Sequence, residues 1–158
     1  MNRTLRMAFA VAMAAILGLV VQAPAHAALG TGYWVRTSTF LRGADKSESY
    51  DRGFDVFNKN DKLIGIVWFN SDPVGDDPGD ALQACDYEAD GVGIEIQMDI
   101  NPGSTWQTDR IATTRGHNSP YCSPWATGNI GENTLVKVRA CVVQGTESWC
   151  SAPQYGRA

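Results

Sequence analysis

The sequence predicts an all-β protein, an antiparallel β-sandwich that forms a single domain closed by two disulfides. Three observations predict it. Several short segments alternate apolar and polar residues, which is the pattern of half-buried strands. Stretches rich in Gly, Pro, Asn and Asp separate them, as turns do, and four cysteines follow residue 80. No window combines sustained helical spacing with helix caps, so we expect a sandwich or barrel architecture.

The first 27 residues have the pattern of a cleavable signal peptide. Two arginines and no acid precede an apolar stretch from Met7 to Val21, and Ala25-His26-Ala27 is an A-x-A cleavage site. The apolar stretch has about fifteen residues, whereas a membrane-spanning helix needs roughly twenty. We therefore expect cleavage after Ala27, and residues 28–158 to be secreted as one extracellular domain.

The predicted mature domain is acidic. Its 131 residues carry eleven Lys and Arg against seventeen Asp and Glu, a net charge of −6. Nucleic acids and anionic membranes attract basic surfaces, so we expect neither as a partner once the leader is removed. The length suits one domain with its own core, and the oligomeric state is left open.

The cysteines predict both disulfides. The mature chain contains Cys85, Cys122, Cys141 and Cys150, an even number that favours two disulfides in an exported protein. Gly145-Thr146 suits a two-residue type II′ hairpin turn. If Gln144 then faces Glu147, alternation places Cys141 opposite Cys150 at a non-hydrogen-bonded pair, where Cα atoms lie about 4.5 Å apart. The remaining two cysteines pair by exclusion.

The clearest predicted strand is Val92 to Ile100, in which apolar residues alternate with polar ones. Its polar residues, among them Glu95 and Asp99, are expected on a solvated face. The segment Ala81 to Asp86 and the turn at 87–91 precede it, so the two segments are predicted to be neighbouring antiparallel strands.

Further strands are predicted on both sides of this pair. Gly53 to Phe57 and Leu63 to Phe69 flank the turn residues 58–62, which indicates a second hairpin. Downstream strands are predicted at Arg110 to Thr114, Thr134 to Val143 and Glu147 to Ala152. Two long loops remain, at 70–80 and 116–128.

The C-terminal third resembles the last strands of a fibronectin type III domain. The resemblance rests on Thr127-Gly128-Asn129-Ile130-Gly131-Glu132-Asn133-Thr134, on Leu135-Val136-Lys137-Val138-Arg139-Ala140, and on Ser148-Trp149-Cys150-Ser151-Ala152-Pro153. In the family a glycine-leucine turn, a threonine, a tyrosine and a Val-Arg-Val strand precede a Ser-Trp-Ser-x-Pro stretch. Here Val136 stands at the tyrosine position and Glu132 at that of the usual proline. The resemblance implies an immunoglobulin-like sandwich but no particular function.

The sequence gives little support for catalysis. After leader removal the only histidine is His117, and no metalloprotease or serine-hydrolase motif occurs. Glu95 and Asp99 share one face of a strand, but their Cα atoms would be about 13 Å apart, whereas the paired carboxyl groups of glycosidases lie roughly 5 to 9.5 Å apart. We therefore expect a protein that is not an enzyme, with a small extracellular hydrolase as an alternative.

The acidic loop at 70–80 is a candidate calcium site. It contains Asp72, Asp76, Asp77 and Asp80, and carboxylate oxygens are the ligands that Ca²⁺ prefers. The spacing matches no EF-hand loop, so a solvated acidic loop is the alternative. No other cofactor is expected.

Aromatic residues in the loops are candidate platforms for sugar rings. Of the five tryptophans, Trp68 lies in an apolar strand and is expected in the core. Trp106 and Trp125 occupy turn-rich segments, with Tyr121 close to Trp125 in sequence. Burial in the core is the alternative for each of these rings.

The segment Thr113 to Cys122 presents Arg115 and His117 on a loop tethered by a cysteine. A rigid loop of this kind loses little entropy on binding, so Arg115 could enter the specificity pocket of a protease. The leading hypothesis is a secreted, non-catalytic domain whose loops bind an extracellular protein or glycan. Inhibition of a secreted hydrolase through Arg115 is the alternative.

Overall fold

The computed structural model describes residues 27–29, 32–38 and 51–158. These residues form eleven strands and no helix. The strands are β1 (Ala27–Leu29), β2 (Tyr33–Ser38), β3 (Arg52–Phe57), β4 (Leu63–Asn70), β5 (Ala81–Asp86), β6 (Gly93–Ile100), β7 (Arg110–Thr113), β8 (Tyr121–Cys122), β9 (Leu135–Gln144), β10 (Glu147–Cys150) and β11 (Gln154–Arg157). The predicted leader lies outside the described residues, apart from Ala27, with which β1 begins.

The strands form two antiparallel sheets. The first sheet has the order β1-β2-β3-β4-β5-β8, and the second has the order β10-β9-β6-β7. β11 pairs with the first half of β9, while β10 pairs with its second half. In the described ranges no helix is long and apolar enough to cross a membrane. The predicted all-β sandwich is confirmed.

Alternating side chains from the two sheets meet in one core. In β6 the core residues are Ile94, Ile96 and Met98. β9 contributes the alternate residues Val136, Val138, Ala140 and Val142, and all seven are fully buried. The first sheet presents Phe54 and Phe69 together with smaller aliphatic residues. Full burial of each large apolar side chain contributes roughly 1.5 to 3 kcal/mol, so this layer holds the two sheets together.

The prediction that Ala81–Asp86 and the Val92–Ile100 segment pair with each other is wrong. β5 pairs with β4 and β8, whereas β6 pairs with β7 and β9. Both edges of β5 are therefore occupied, and the turn at 87–92 carries the chain into the second sheet. Alternation along a strand shows which face is apolar, but it does not show which strand lies alongside.

The other predicted strands are confirmed within one or two residues. β3 and β4 form the expected hairpin, with a bulge between Val56 and Phe57, and Asp61 takes a positive φ of 58° in its turn. Sequence patterns did not predict β1, β2, β8 and β11, since these strands are short or contribute few core residues. In β2, Val35 is the residue that enters the core.

Both predicted disulfides are confirmed. Cys85 is joined to Cys122, and Cys141 to Cys150. Gln144 faces Glu147 across the β9–β10 turn, and Gly145 has the positive φ, 55°, that a type II′ turn needs at its first central position. Two disulfides in a domain of this size are typical of extracellular proteins.

The two disulfides are expected to differ in their effect on stability. In the chain-entropy model, the Cys85–Cys122 link closes the longer loop, with a sequence separation of 37 against 9, and so contributes about 3.9 kcal/mol against about 2.7 kcal/mol. Replacing both cysteines of this pair with serine should lower the free energy of unfolding by about 1 kcal/mol more than the same change at Cys141 and Cys150. Urea denaturation of the two double variants measures the difference; equal losses would contradict it.

Candidate binding site

Three loops meet at one end of the sandwich and enclose a cleft. They are the turn at 87–92 after β5, the loop at 114–120 after β7, and the turn at 145–146 after β9. β6 begins at this end and runs antiparallel to both β7 and β9, which places the ends of those strands beside the 87–92 turn. The cleft has a volume of about 380 Å³, within the range of small-molecule sites. We call this region the loop end.

Each disulfide is anchored beside one or more of these loops. The Cys85–Cys122 link joins the C-terminal end of β5 to β8. It therefore fixes the start of the 87–92 turn and the end of the 114–120 loop together. The Cys141–Cys150 link closes the β9–β10 hairpin below its turn. The loop end is therefore cross-linked covalently on both sheets.

A buried carboxylate joins two of the loops. Asp86 is 2% exposed, and its Oδ2 accepts a hydrogen bond of 2.5 Å from the hydroxyl of Ser119. Its Oδ1 accepts a second bond, of 3.1 Å, from the backbone N–H of Glu88. Burial raises the pKa of Asp86, while both hydrogen bonds act in the opposite direction. The carboxylate thus holds the 114–120 loop against the 87–92 turn.

A buried threonine fixes the start of the 114–120 loop. The hydroxyl of Thr114 accepts a 2.8 Å bond from the backbone N–H of Ile94 and donates to the Ile94 carbonyl at 3.2 Å. Across the cleft, the side-chain amide of Gln144 donates to the carbonyl of Gly91 at 3.3 Å. These bonds connect the loop to β6, and the hairpin to the 87–92 turn.

Arg115 connects the 114–120 loop to the β9–β10 hairpin. Its guanidinium donates to the carbonyl of Gly145, to the carbonyl of Glu147 at 3.3 Å and to the hydroxyl of Ser148 at 3.0 Å. It also lies 3.9 Å from a carboxylate oxygen of Glu95. The predicted entry of Arg115 into a protease pocket would require these contacts to break. In this geometry Arg115 shapes the cleft rather than projecting from it.

The structure brings three sequence-predicted residues together at the loop end: Arg115, His117 and Tyr121. The ring of His117 stacks on that of Tyr121, with centroids 4.0 Å apart and an angle of 8° between the planes. His117 is exposed and lines the cleft, and Tyr121 is half-buried. Their stacked rings form an aromatic wall beside the cleft.

The two candidate tryptophans lie elsewhere and do not share a platform with Tyr121. Trp125 packs edge-on against Trp68, with centroids 5.9 Å apart. Since Val67 and Phe69 point into the core, Trp68 lies on the outer face of the first sheet, half-buried; its expected place in the core is wrong. Trp106 instead covers the second sheet.

The polar face of β6 is buried, which corrects the expectation of a solvated face. Glu95, Gln97 and Asp99 are 4%, 8% and 2% exposed. Asp99 accepts a 3.1 Å bond from the backbone N–H of Gln107, because the segment after β6 folds back across this face. Trp106 belongs to the same segment, and its ring also lies over this face of the sheet, against Arg139.

These buried polar groups form a continuous chain of contacts. Arg139 donates two hydrogen bonds to the side-chain oxygen of Gln97, at 3.0 and 2.7 Å, and Gln97 donates to Glu95 at 2.7 Å. The Arg139 guanidinium lies 4.0 Å from the ring centroid of Trp106. Burial lowers the pKa of Arg139, and the charge of Glu95 opposes that shift. Through Glu95 the chain reaches Arg115 at the loop end.

The acidic loop does not assemble the predicted calcium site. Within the described ranges no group of three or more His, Cys, Asp or Glu is arranged to hold a metal ion. Asp80 accepts a 2.8 Å bond from the backbone N–H of Ile130, Asp76 is exposed, and the loop closes through backbone bonds between Val74 and Asp77. Of the four aspartates Asp72, Asp76, Asp77 and Asp80, no three come together in such a group in this part of the chain.

A second cleft, of about 480 Å³, lies at the opposite end of the sandwich. Asp72, Asp80 and Glu132 line it together with Asn129. It lies beside the loop at 70–80 and the segment that precedes β9, and neither disulfide is anchored next to it.

Sequence patterns missed Asp86, Thr114, Asn118, Ser119 and Gln144 as components of the loop end. The cysteine pairing contained a usable signal for one of them. Once Cys85 faces Cys122, the adjacent Asp86 and Tyr121 must also face each other, which places a carboxylate beside the candidate loop.

Comparisons of the chain with known protein families, with curated proteins and with solved structures give no match.

Replacing Gln97 with alanine should destabilise the fold. The change removes the side-chain oxygen that accepts both hydrogen bonds from Arg139, and it removes the NH₂ group that donates to Glu95. Loss of hydrogen bonds to buried charged groups costs about 2 kcal/mol. Chemical denaturation measures the free energy of unfolding. The control is Gln107→Ala, which keeps the backbone bond to Asp99 and removes an exposed side chain, so it should change stability by about 0.5 kcal/mol or less. Similar effects of the two variants would contradict the role of Gln97.

Asp86 is expected to make stability depend on pH. Since its pKa is raised above 3.8, the folded protein holds this proton more tightly than the unfolded chain does. The contribution of Asp86 to the free energy of unfolding is complete at pH values below its pKa in the unfolded chain. It is lost as pH rises through its pKa in the folded protein. The free energy of unfolding of the wild type minus that of Asp86→Asn should therefore fall as pH rises from below 3.8, and then level off. A difference that grows with pH would show that the hydrogen bonds outweigh burial.

Proposed function

We propose that the protein is a secreted, non-catalytic β-sandwich domain that binds an extracellular protein or glycan through the cleft at the loop end. The observation that carries this proposal is the density of cross-links around that cleft. Two disulfides, the Asp86–Ser119 bond and the contacts of Arg115 hold loops that a β-sandwich does not need to hold rigidly. A preorganised cleft loses less entropy when a ligand binds.

The strand order supports an immunoglobulin-like or fibronectin type III-like scaffold. β4, β5 and β8 are arranged like strands A, B and E of such domains, and β10, β9, β6 and β7 like strands G, F, C and C′. β1, β2 and β3 extend the first sheet beyond strand A. With this assignment the turn at 87–92 is the B–C loop and the turn at 145–146 is the F–G loop. In antibody variable domains these two loops lie at the antigen-binding end.

Secretion is supported by two independent features. The leader pattern at residues 1–27 predicts export, and both cysteine pairs are oxidised, as is usual in extracellular proteins. Function on such a scaffold is commonly carried by loops that a rigid core positions. The loop end combines exposed polar side chains with that rigidity.

Binding is expected to depend on the cleft residues. The secreted protein, immobilised on beads, is incubated with solubilised cell-wall polysaccharides and with extracellular protein extracts, and retained material is quantified. His117→Ala should reduce retention about tenfold, which corresponds to about 1.4 kcal/mol, because it removes the exposed ring of the cleft wall. Asn129→Ala, an exposed change at the opposite end, should leave retention unchanged. Equal retention by His117→Ala and the wild type would refute the proposal.

A further inference from the structure

We propose that the ligand of the loop-end cleft is a neutral oligosaccharide rather than a protein or a charged small molecule. This inference rests on the proposed function, since it assigns a chemical class to the ligand of the same cleft. Five features of the described residues support it: the charge of the lining, its hydrogen-bonding groups, its aromatic wall, its exposed glycine backbone and its lack of large apolar side chains.

The cleft contains no uncompensated charge. None of the described lining residues is Asp or Glu, and Arg115 is the single Lys or Arg among them. Its guanidinium already donates to Gly145, Glu147 and Ser148 and faces Glu95. An anionic ligand would have to compete with these partners, and a cationic ligand would find no carboxylate among the lining residues. A neutral ligand incurs neither cost.

The hydrogen-bonding groups of the cleft match sugar hydroxyls. Asn118 and Gln144 contribute amides, and His117 contributes an imidazole. Among the described residues, no hydrogen bond occupies the side chains of Asn118 and His117, and Gln144 uses its NH₂ group alone. Amides present donors and acceptors together, an imidazole offers two ring nitrogens for hydrogen bonds, and a hydroxyl group both donates and accepts. A polyol can therefore satisfy this lining without leaving a group unpaired.

The stacked rings of His117 and Tyr121 provide a flat wall for a sugar ring. The two planes are 8° from parallel, so Tyr121 holds the His117 ring in a fixed orientation. The π face of an aromatic ring carries partial negative charge, which attracts the partially positive C–H groups on one face of a pyranose. The wall and the amides thus address the two different surfaces of a sugar.

Exposed glycines in the turns of the loop end bring backbone within reach of a ligand. Gly91, Gly116 and Gly145 line the cleft, and a Cβ placed on any of them would meet no atom within 4 Å. The space above these glycines is open, so a ring can approach the backbone closely.

A protein partner fits this surface less well. Protein interfaces depend on large apolar or aromatic anchors near their centre. The exposed large hydrophobic residues in the described part of the chain are Leu63, Tyr87, Ile111, Leu135 and Tyr155. None of them lines the cleft, so a protein would bind here without such an anchor.

The test is isothermal titration calorimetry of the full secreted protein with neutral tetrasaccharides. Cellotetraose, laminaritetraose, maltotetraose and tetra-N-acetylchitotetraose are the neutral probes, and tetragalacturonate is the anionic comparator. At least one neutral probe should bind with a Kd in the range of about 10 µM to 1 mM, and tetragalacturonate should bind more weakly. His117→Ala and Asn118→Ala should each weaken binding about tenfold.

Two matched controls accompany these variants. Tyr155→Ala removes an aromatic ring that is 54% exposed on β11, and Asn129→Ala removes an exposed amide at the opposite end; both should bind like the wild type. Because His117 and Asn118 are exposed, their variants should fold, and thermal unfolding verifies this.

Three results would overturn the inference: no heat with any neutral probe at about 10 mM, stronger binding of tetragalacturonate, or binding that survives both cleft variants. These outcomes are distinct from failure of the proposed function. His117-dependent retention of an extracellular protein without any sugar binding would refute the neutral oligosaccharide and preserve the binding domain. Loss of His117-dependence in both experiments would refute the two proposals together.

Discussion

The fold depends on the pairing of β5 with β8, which the Cys85–Cys122 disulfide fixes. With β4 on its other side, β5 has no free edge, so the chain that follows it must enter the second sheet. This crossing makes β6 a central strand of that sheet and brings the 87–92 turn beside the 114–120 loop. One long-range cross-link thereby closes the first sheet and assembles the loop end.

The second constraint is the polar face of β6. Glu95, Gln97 and Asp99 are buried, with 4%, 8% and 2% of each residue exposed, and burial of unpaired groups of this kind would be costly. Each has a partner: Arg139 of β9 binds Gln97, Gln97 and Arg115 contact Glu95, and the segment that folds back after β6 binds Asp99. A fully satisfied polar network favours one arrangement of the strands that carry it. Because Glu95 also faces Arg115, the network extends the order of the second sheet to the cleft.

Local patterns predicted what local physics determines. The alternation in Val92 to Ile100 predicted β6, and hairpin register predicted the Cys141–Cys150 pair, because both depend on residues close in sequence. The partner of β5 and the cover over Glu95 depend on segments far along the chain, so alternation could not reveal them. His117 was recognisable as a candidate from its residue type, but its stacking on Tyr121 required the folded loop. The spacing of Asp72 and its neighbours along the chain likewise did not show where the folded loop places their carboxylates.

The two ends of the sandwich differ in how their loops are cross-linked. At the opposite end, side-chain bonds also hold the loop at 70–80: Asn70 donates to the Pro78 carbonyl, Ser71 donates to Asp51, and Arg110 donates to the Asp80 carbonyl. Neither disulfide lies beside that loop. At the loop end, disulfides and side-chain bonds join loops from both sheets. Arg115 shows the contrast most clearly, since its guanidinium serves the hairpin rather than solvent. Such bonding contributes to stability and also fixes the shape of the cleft. Under the proposed function, that fixed shape lowers the entropy lost when a ligand binds.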